Sequence, residues 1–209
     1  MSMAMPVLET QRLRIRPPDM ADLTDLHRTA VDAGWAEDTP KGLNGIREWL
    51  KWATRNHRAL ANLYQPPYGD RTIIRKADSA FVGQIGIVPT LDRWGVLPYY
   101  RDLGIDDAYS FPEMGLFWSI PAAQRGNGYA TEAAQAIIDY LFGQLRLKRV
   151  IATTENDNEA SQRVMRRLGM TLTVNPRLDE MPWLQTIGIL ENTIINQANT
   201  QTQTEESQQ

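Results

Sequence analysis

The hydrophobic and polar positions of this chain repeat with two different periods, which predicts strands mixed with helices. Residues 13–16 alternate apolar and basic side chains and predict a short strand. This strand ends at Pro17 and Pro18, because proline cannot extend the central ladder of a sheet. Asp19 or Asp22 can then cap a helix whose apolar residues follow at helical spacing.

A second helix and a hairpin are predicted next. Thr39 followed by Pro40 is typical of a helix start, with a capping side chain and then proline at the first helical position. Residues 61–70 contain two adjacent prolines and predict a loop. Residues 72–74 and 81–88 predict the two strands of a hairpin.

The rest of the chain predicts further elements in alternation. Residues 89–112 contain three prolines and no sustained periodicity, which predicts a long loop of the kind kept for function. Residues 113–120 predict a strand, and apolar residues at helical spacing predict an amphipathic helix over 128–142. The remaining predicted elements are a strand at 149–154, a helix at 158–168 closed by Gly169, and strands at 170–174 and 183–190.

This order of elements predicts a mixed α/β fold. A chain of 209 residues is long enough for one well-buried core and short for two domains of usual size. We therefore expect a single domain over residues 1–192. Residues 193–209 are too polar to bury a core and predict a disordered tail.

Composition narrows the classes of function. With 42% hydrophobic and 22% charged residues, the chain has the composition of a globular protein. It has no apolar run of membrane-spanning length, and its start lacks the pattern of a secretion signal, so a cytoplasmic location without a membrane partner is expected. The net charge of -3 argues against nucleic acid as a partner, because phosphate binding needs a concentrated basic face.

The supply of reactive side chains excludes several chemistries. The chain has no cysteine, so disulfides, thiolate metal sites and cysteine nucleophiles are excluded. Its two histidines, His27 and His57, have no second histidine or carboxylate pair at ligand spacing. No metal is therefore expected.

Residues 119–130 run from a predicted strand through a glycine turn into a predicted helix, and this arrangement predicts an anion site. The first N–H groups of a helix have no internal partners and carry the positive end of its dipole. Glycines let the main chain approach a phosphate closely, so a pyrophosphate suits the turn. The Walker loop and the dinucleotide fingerprint are both absent. On these residues alone, a tight turn without a ligand remains the alternative.

The stretch Arg125-Gly126-Asn127-Gly128-Tyr129-Ala130 fits the Arg/Gln-x-x-Gly-x-Gly/Ala signature of the GNAT superfamily of N-acetyltransferases. The chain resembles in particular the ribosomal-protein alanine acetyltransferase branch, over roughly residues 7–191 and with all elements in the family's order. Three further segments carry this resemblance, namely the opening strand at 8–16, the strand at 113–118, and the Asn-x-x-Ser helix with its surroundings at 157–170.

The resemblance implies a central twisted, mostly antiparallel sheet with helices on both faces, whose fourth and fifth strands splay apart around the pantetheine arm of acetyl-CoA. It implies that the cosubstrate acetyl-CoA is bound by its pyrophosphate on backbone donors, by its pantetheine amides on main-chain groups of a strand, and by one asparagine. The residues implied in these roles are Arg125, Gly126, Asn127, Gly128, Tyr129 and Ala130 for the pyrophosphate, Phe117, Trp118 and Ser119 for the amides, and Asn158. For Asn158, a plain helix N-cap is the alternative.

The resemblance also implies the groups that move protons. Glu113 is the carboxylate expected to assist deprotonation of the attacking amine, and a solvated charge at the strand end is its alternative. Many family members place a tyrosine seven residues after the asparagine, where this chain has Met165. Ser161 is then expected to protonate the leaving thiolate, with a capping or packing role as its alternative.

The resemblance implies that the acceptor binds among the two early helices, the 61–70 loop and the 89–112 segment. Aromatic residues and nearby carboxylates of these segments predict a site for a cationic amine, although packing in the core is the alternative for each aromatic residue. The aromatic residues are Trp35, Tyr64, Tyr68, Trp94, Tyr99 and Tyr100, and the carboxylates are Asp38, Asp102, Asp106 and Asp107. Three functions are left open, namely an active acetyltransferase, a degenerate acetyl-CoA sensor and an interaction protein. A monomer or a homodimer is expected.

Overall fold

The computed structural model describes residues 5–193, which form a mixed α/β fold with eight strands in an open, mostly antiparallel sheet. This confirms the predicted fold class. The strands are β1 Leu8–Glu9, β2 Leu13–Arg16, β3 Gly69–Arg75, β4 Phe81–Asp92, β5 Phe111–Ser119, β6 Arg149–Thr154, β7 Thr171–Val174 and β8 Thr186–Glu191. The α-helices are α1 Leu23–Asp32, α2 Pro40–Asn62, α3 Pro98–Asp102, α4 Tyr129–Gly143 and α5 Glu159–Arg167.

The chain divides into two compact units, each built from two segments. The first contains Met1–Pro89 and Leu116–Ala136, and the second contains Thr90–Gly115 and Ile137–Gln209. The predicted domain boundary at residue 192 stays a prediction. The predicted tail lies, from residue 194 onward, outside the described residues. Within residues 5–193, no helix is long and apolar enough to cross a membrane.

The first unit carries strands β1 to β4, each antiparallel to the next, and helices α1 and α2. Asp19 caps the start of the first helical segment by accepting from the backbone N–H of Ala21, and Thr39 caps α2 by accepting from Gly42. Both predicted helix starts are therefore confirmed. The core of this unit consists of buried apolar residues from the strands and the helices: Leu13, Ile15, Leu26, Ala30, Leu50, Ala53, Ile73, Val82, Ile85 and Ile87.

The second unit contains β6, β8 and β7, hydrogen-bonded in that order as antiparallel neighbours. Strand β5 runs parallel to β6 at the register pair Gly115 and Ile151. Counted from β2, strands β5 and β6 are the fourth and fifth strands of the sheet that the resemblance implies. That these two strands splay apart stays a prediction. Strand β6 has the bounds predicted for it, 149–154.

The expectation of a long functional loop at residues 89–112 is wrong. This segment contains the end of β4, a short 3-10 helix at Trp94–Val96 and helix α3. Its apolar side chains join the core of the second unit, where Trp94 and Tyr100 are fully buried. Of the aromatic residues predicted to receive the acceptor, Trp94 and Tyr100 are thus core residues, whereas Trp35 and Tyr64 are exposed. The segment lacks periodicity because its buried residues come from short elements.

Candidate active site

The turn between β5 and α4 has the conformation that only glycine adopts without strain. Strand β5 ends at Ser119, a 3-10 helix spans Ala122–Gln124, and α4 begins at Tyr129. Between them, Gly126 and Gly128 have φ angles of 80° and 77°, in the left-handed region. An added Cβ at Gly126 meets nothing within 4 Å, so the backbone angle, not crowding, requires glycine there.

This turn presents a run of free backbone donors. Among the described residues, the N–H groups of residues 126–131 donate to no acceptor. The hydroxyl of Thr131 in the first turn of α4 is buried and also has no partner in the described part of the chain. These donors and the positive end of the helix dipole suit an anion. The predicted site residues from Arg125 to Ala130 therefore lie together in one turn, and their binding of a pyrophosphate stays a prediction.

Hydrogen bonds within the first unit hold the turn in shape. The Arg125 Nε donates to the carbonyl of Ile120 at 3.0 Å, and the Asn127 Nδ2 donates to the carbonyl of Gln124 at 3.0 Å. The backbone N–H of Ala122 donates to the Asp32 carboxylate at 2.8 Å. Side chains on both sides of the turn thus fix its backbone through hydrogen bonds.

A carboxylate that the sequence did not single out anchors the start of α4. Glu132 Oε1 accepts from the Thr10 hydroxyl at 2.5 Å and from the Arg12 backbone N–H at 3.0 Å. Glu132 Oε2 accepts from Arg12 Nε at 2.6 Å. The Arg12 guanidinium also lies 5.0 Å from the ring centre of Tyr129, whose hydroxyl accepts from Arg75 at 3.1 Å. Thr10 and Arg12 lay in a stretch that carried the resemblance and Glu132 follows the glycine turn, but only the structure shows that they meet.

We expect Glu132→Gln to loosen this anchor and to lower the free energy of unfolding by about 2 kcal/mol, as for lost hydrogen bonds to a charged group. Burial raises the pKa of Glu132, but hydrogen bonds from Thr10 and Arg12 outweigh it and hold the pKa below its usual range. The stabilisation is therefore present at neutral pH and is lost as the pH falls through the lowered pKa.

Urea unfolding at pH 7 and pH 3 measures this effect. Glu9→Gln is the control, because Glu9 pairs with Arg14 and Lys76 at the exposed surface. A variant Glu132→Gln that is as stable as wild type at pH 7 would contradict the anchoring role.

Strand β5 leads into the turn and also borders a cavity. Ser119 is buried, and the ring of Phe117 fills the space beside Gly86, where an added Cβ would lie 2.1 Å from a ring carbon. The cavity has a volume of about 320 Å³ and lies within the first unit. It is lined by Leu26, Ala30, Trp35, Ile46, Trp49, Asp70, Gln84 and Phe117. Residues of α1 and α2 line this cavity, and no residue of 89–112 does, while the position of the acceptor stays a prediction.

In the second unit, Glu113 is a buried member of an ion-pair network. Its Oε1 lies 3.0 Å from Arg149 Nε and accepts from the Tyr100 hydroxyl at 3.0 Å. Arg149 also pairs with Glu191 at 3.0 Å. Burial raises the pKa of Glu113, which the charge of Arg149 and the hydrogen bond from Tyr100 partly offset. The alternative of a solvated strand-end charge is therefore wrong, while the role in proton transfer stays a prediction.

Asn158 and Ser161 lie at the start of α5 and are joined by a capping bond. The backbone N–H of Ser161 donates to Asn158 Oδ1 at 3.1 Å, so Asn158 acts as the N-cap. This bond leaves the amide nitrogen of Asn158 available to a ligand. Met165 is fully buried, with its sulfur close to Gly188, and is a core residue. Within residues 5–193, no group of three or more His, Asp or Glu side chains is placed to hold a metal ion.

The mixed sheet and the glycine turn before α4 agree with a match to a known family of acyltransferases. The family model described as "Acetyltransferase (GNAT) domain" matches residues 12–171. The chain belongs to the GNAT family of N-acetyltransferases.

Individual relatives agree with this assignment. The uncharacterized N-acetyltransferase YnaD of Bacillus subtilis (strain 168) is 45% identical over 163 residues, which cover 78% of this chain and 81% of the relative. The solved structure of ribosomal-protein-S5-alanine acetyltransferase from Vibrio fischeri has a TM-score of 0.61 at 15% identity, covering 91% of this chain and 98% of that one.

A second solved structure is that of the microcin C7 self-immunity acetyltransferase MccE, in complex with acetyl-CoA and AMP. It has a TM-score of 0.58 at 14% identity and covers 90% of this chain and 96% of that one. At these identities, both solved structures are evidence for the fold alone.

Proposed function

We propose that this chain transfers the acetyl group of acetyl-CoA to a primary amine by direct attack. The acceptor class comprises protein N-termini, peptides and small amines. One observation carries the proposal, namely the run of unpartnered N–H groups over residues 126–131 at the start of α4. A solved structure of similar fold, MccE, was obtained in complex with acetyl-CoA, which supports the choice of donor.

Each predicted binding residue has a role in this proposal. The backbone N–H groups from Gly126 to Thr131 bind the pyrophosphate, and the Thr131 hydroxyl adds a donor. The main-chain groups of Phe117, Trp118 and Ser119 bind the amides of the pantetheine arm. Asn158 donates from its free amide nitrogen while its oxygen caps α5.

Proton transfer accompanies the attack. An alkyl amine has a pKa of about 10 and is mostly protonated at neutral pH, so it must lose a proton before it attacks. In this proposal Glu113 accepts that proton, because its raised pKa makes it a stronger base than an exposed glutamate. The amine nitrogen then bonds to the carbonyl carbon, and the carbon–sulfur bond breaks. The thiolate leaves with the electron pair and takes a proton from Ser161 or from water.

A sensor that binds acetyl-CoA without turning it over is the second candidate. Its supporting observation is that Met165 is buried in the core where many relatives carry a tyrosine. This observation removes one proton donor but leaves the anion site intact, so we favour the enzyme.

Incubation with acetyl-CoA and a panel of amines, followed by detection of free thiol, tests the proposal. We expect thiol release that depends on both the enzyme and one class of amine. Binding of CoA in calorimetry without thiol release from any amine would favour the sensor. Failure to bind CoA at all would contradict both candidates.

A further inference from the structure

We propose that Asp70 and Gln84 recognise the ammonium group of the acceptor, and that the acceptor carries an apolar body that fills the cavity beside Phe117. This inference rests on the proposed function and adds to it the residues that select the acceptor and the chemical class that they select.

Gln84 supplies the first observation. Its side chain is 6% exposed and lines the cavity, and its Oε1 is buried without a hydrogen-bond partner among the described residues. A buried carbonyl oxygen without a donor destabilises the chain, so such atoms are rare in folded proteins. A ligand that carries N–H groups into the cavity would satisfy this atom.

Asp70 supplies the second observation, because the strand register brings it beside Gln84. In the β3–β4 ladder Asp70 pairs with Gly86 and Thr72 pairs with Gln84, so all four residues lie on one face of the sheet. The ring nitrogen Nε2 of His57 on α2 donates to the Asp70 carbonyl at 2.8 Å and holds the backbone in place. The Asp70 carboxylate has no hydrogen bond or ion pair within the described part of the chain.

The other walls of the cavity are apolar, beginning with the ring that packs over Gly86. Any side chain at Gly86 would overlap the ring of Phe117, so the ring occupies that position and forms one wall. Trp49 of α2 and Trp35, which is 60% exposed, line the same cavity. The remaining lining residues are aliphatic. The cavity thus has an apolar wall and one polar corner, which is the usual composition of a small-molecule site.

The charges around Asp70 leave its carboxylate uncompensated. Arg71, the next residue on β3, donates to the carbonyls of Met5 and Pro6. Arg16 is paired with Asp22, which also accepts from the Thr72 hydroxyl. On α2, burial lowers the pKa of His57, so its ring is neutral at pH 7 and above. The β4 and β5 lining residues carry no charge.

The Asp70 carboxylate and the Gln84 Oε1 accept hydrogen bonds but have no donor within the described part of the chain. A cation that carries several N–H groups would suit both. A primary ammonium has three such donors and can serve both Asp70 and Gln84, while the aromatic walls attract its charge. Burial raises the pKa of Asp70 to about 7 in the empty cavity. A bound ammonium favours the ionised carboxylate, so binding should release a proton near pH 7.

Calorimetric titration with 2-phenylethylamine, in the absence of acetyl-CoA, tests the inference. Because the Asp70 pKa is about 7, wild type should bind this amine about tenfold more tightly at pH 8 than at pH 6. The neutral analogue 2-phenylethanol should bind weakly and without pH dependence. Asp70→Asn should lose at least tenfold in amine affinity and all of the pH dependence, whereas Gln84→Leu should weaken binding but keep the pH dependence.

The control variant is Asp25→Asn, which removes an exposed carboxylate of α1 that pairs with Arg28. It should bind the amine like wild type. Asparagine matches aspartate in shape, so Asp70→Asn should fold like wild type. Thermal melting of the variant verifies this. Equal amine affinity in wild type and a folded Asp70→Asn would overturn the inference. Amine binding is measured without acetyl-CoA, so it does not depend on turnover. A failure of this inference can therefore be told from a failure of acetyl transfer.

Discussion

CoA affinity is expected to fall by well over tenfold, more than about 1.4 kcal/mol, when Gly126 and Gly128 are both replaced by valine. At φ angles of 80° and 77° a β-branched residue is strained, so the turn would open into another conformation. The N–H groups of residues 126–131 would then no longer converge on one anion. Calorimetric titration with CoA measures the loss.

The matched control for this experiment is Gly143→Val at the other end of α4, where an added Cβ also meets nothing within 4 Å. This variant should keep its CoA affinity, which separates damage to the turn from damage to the helix. If the folded double variant at positions 126 and 128 bound CoA like wild type, the pyrophosphate site would have to lie elsewhere.

Glu113→Gln is expected to lower kcat by roughly 10² to 10⁴, the usual effect of removing a general base, with little change in acetyl-CoA affinity. The substitution also removes one partner of the Arg149 guanidinium, whose side chain is only 9% exposed. Some stability should therefore be lost as well. Steady-state kinetics on one acceptor, at saturating acetyl-CoA and pH 6 to 9, measures the catalytic effect.

Glu191→Gln separates the two effects. Glu191 pairs with the same arginine and accepts from the Tyr99 hydroxyl at 2.7 Å, but it has no proposed part in proton transfer. This variant should lose stability and keep kcat. Equal activities of the two variants would show that Glu113 acts through the ion pair alone, and the base would then be another group or water.

Most secondary structure was predictable, because its signals are local. Asp19 and Thr39 cap the helical segments that they were expected to cap, and the hairpin of β3 and β4 lies where alternation placed it. The segment at 89–112 was the exception. Pro98 was interpreted there as a sign of a loop, whereas it occupies the start of α3, a position that suits proline.

The candidate site was predictable in part. The turn from Arg125 to Ala130 could be found because its function depends on consecutive residues. The anchor of α4 could not, because Thr10 and Glu132 are far apart in sequence. Asp70 lay in a predicted loop, and no pattern around it indicated a half-buried carboxylate beside a cavity. Gln84 looked like an ordinary strand residue, since its missing partner is visible only once its neighbours are placed.

The sequence by itself determined the order of the elements, the helix caps and the glycine turn before α4, because backbone angles and capping bonds depend on neighbours within a few residues. Only the tertiary structure decided the surroundings of the ionisable groups. Glu113 is ion-paired because strand pairing and core packing bring Arg149 and Tyr100 to it. Asp70 lines a cavity that helices α1 and α2 border and of which the Phe117 ring, packed over Gly86, forms one wall. Burial and charge pairing depend on residues distant in the chain, and they set the pKa values on which the chemistry depends.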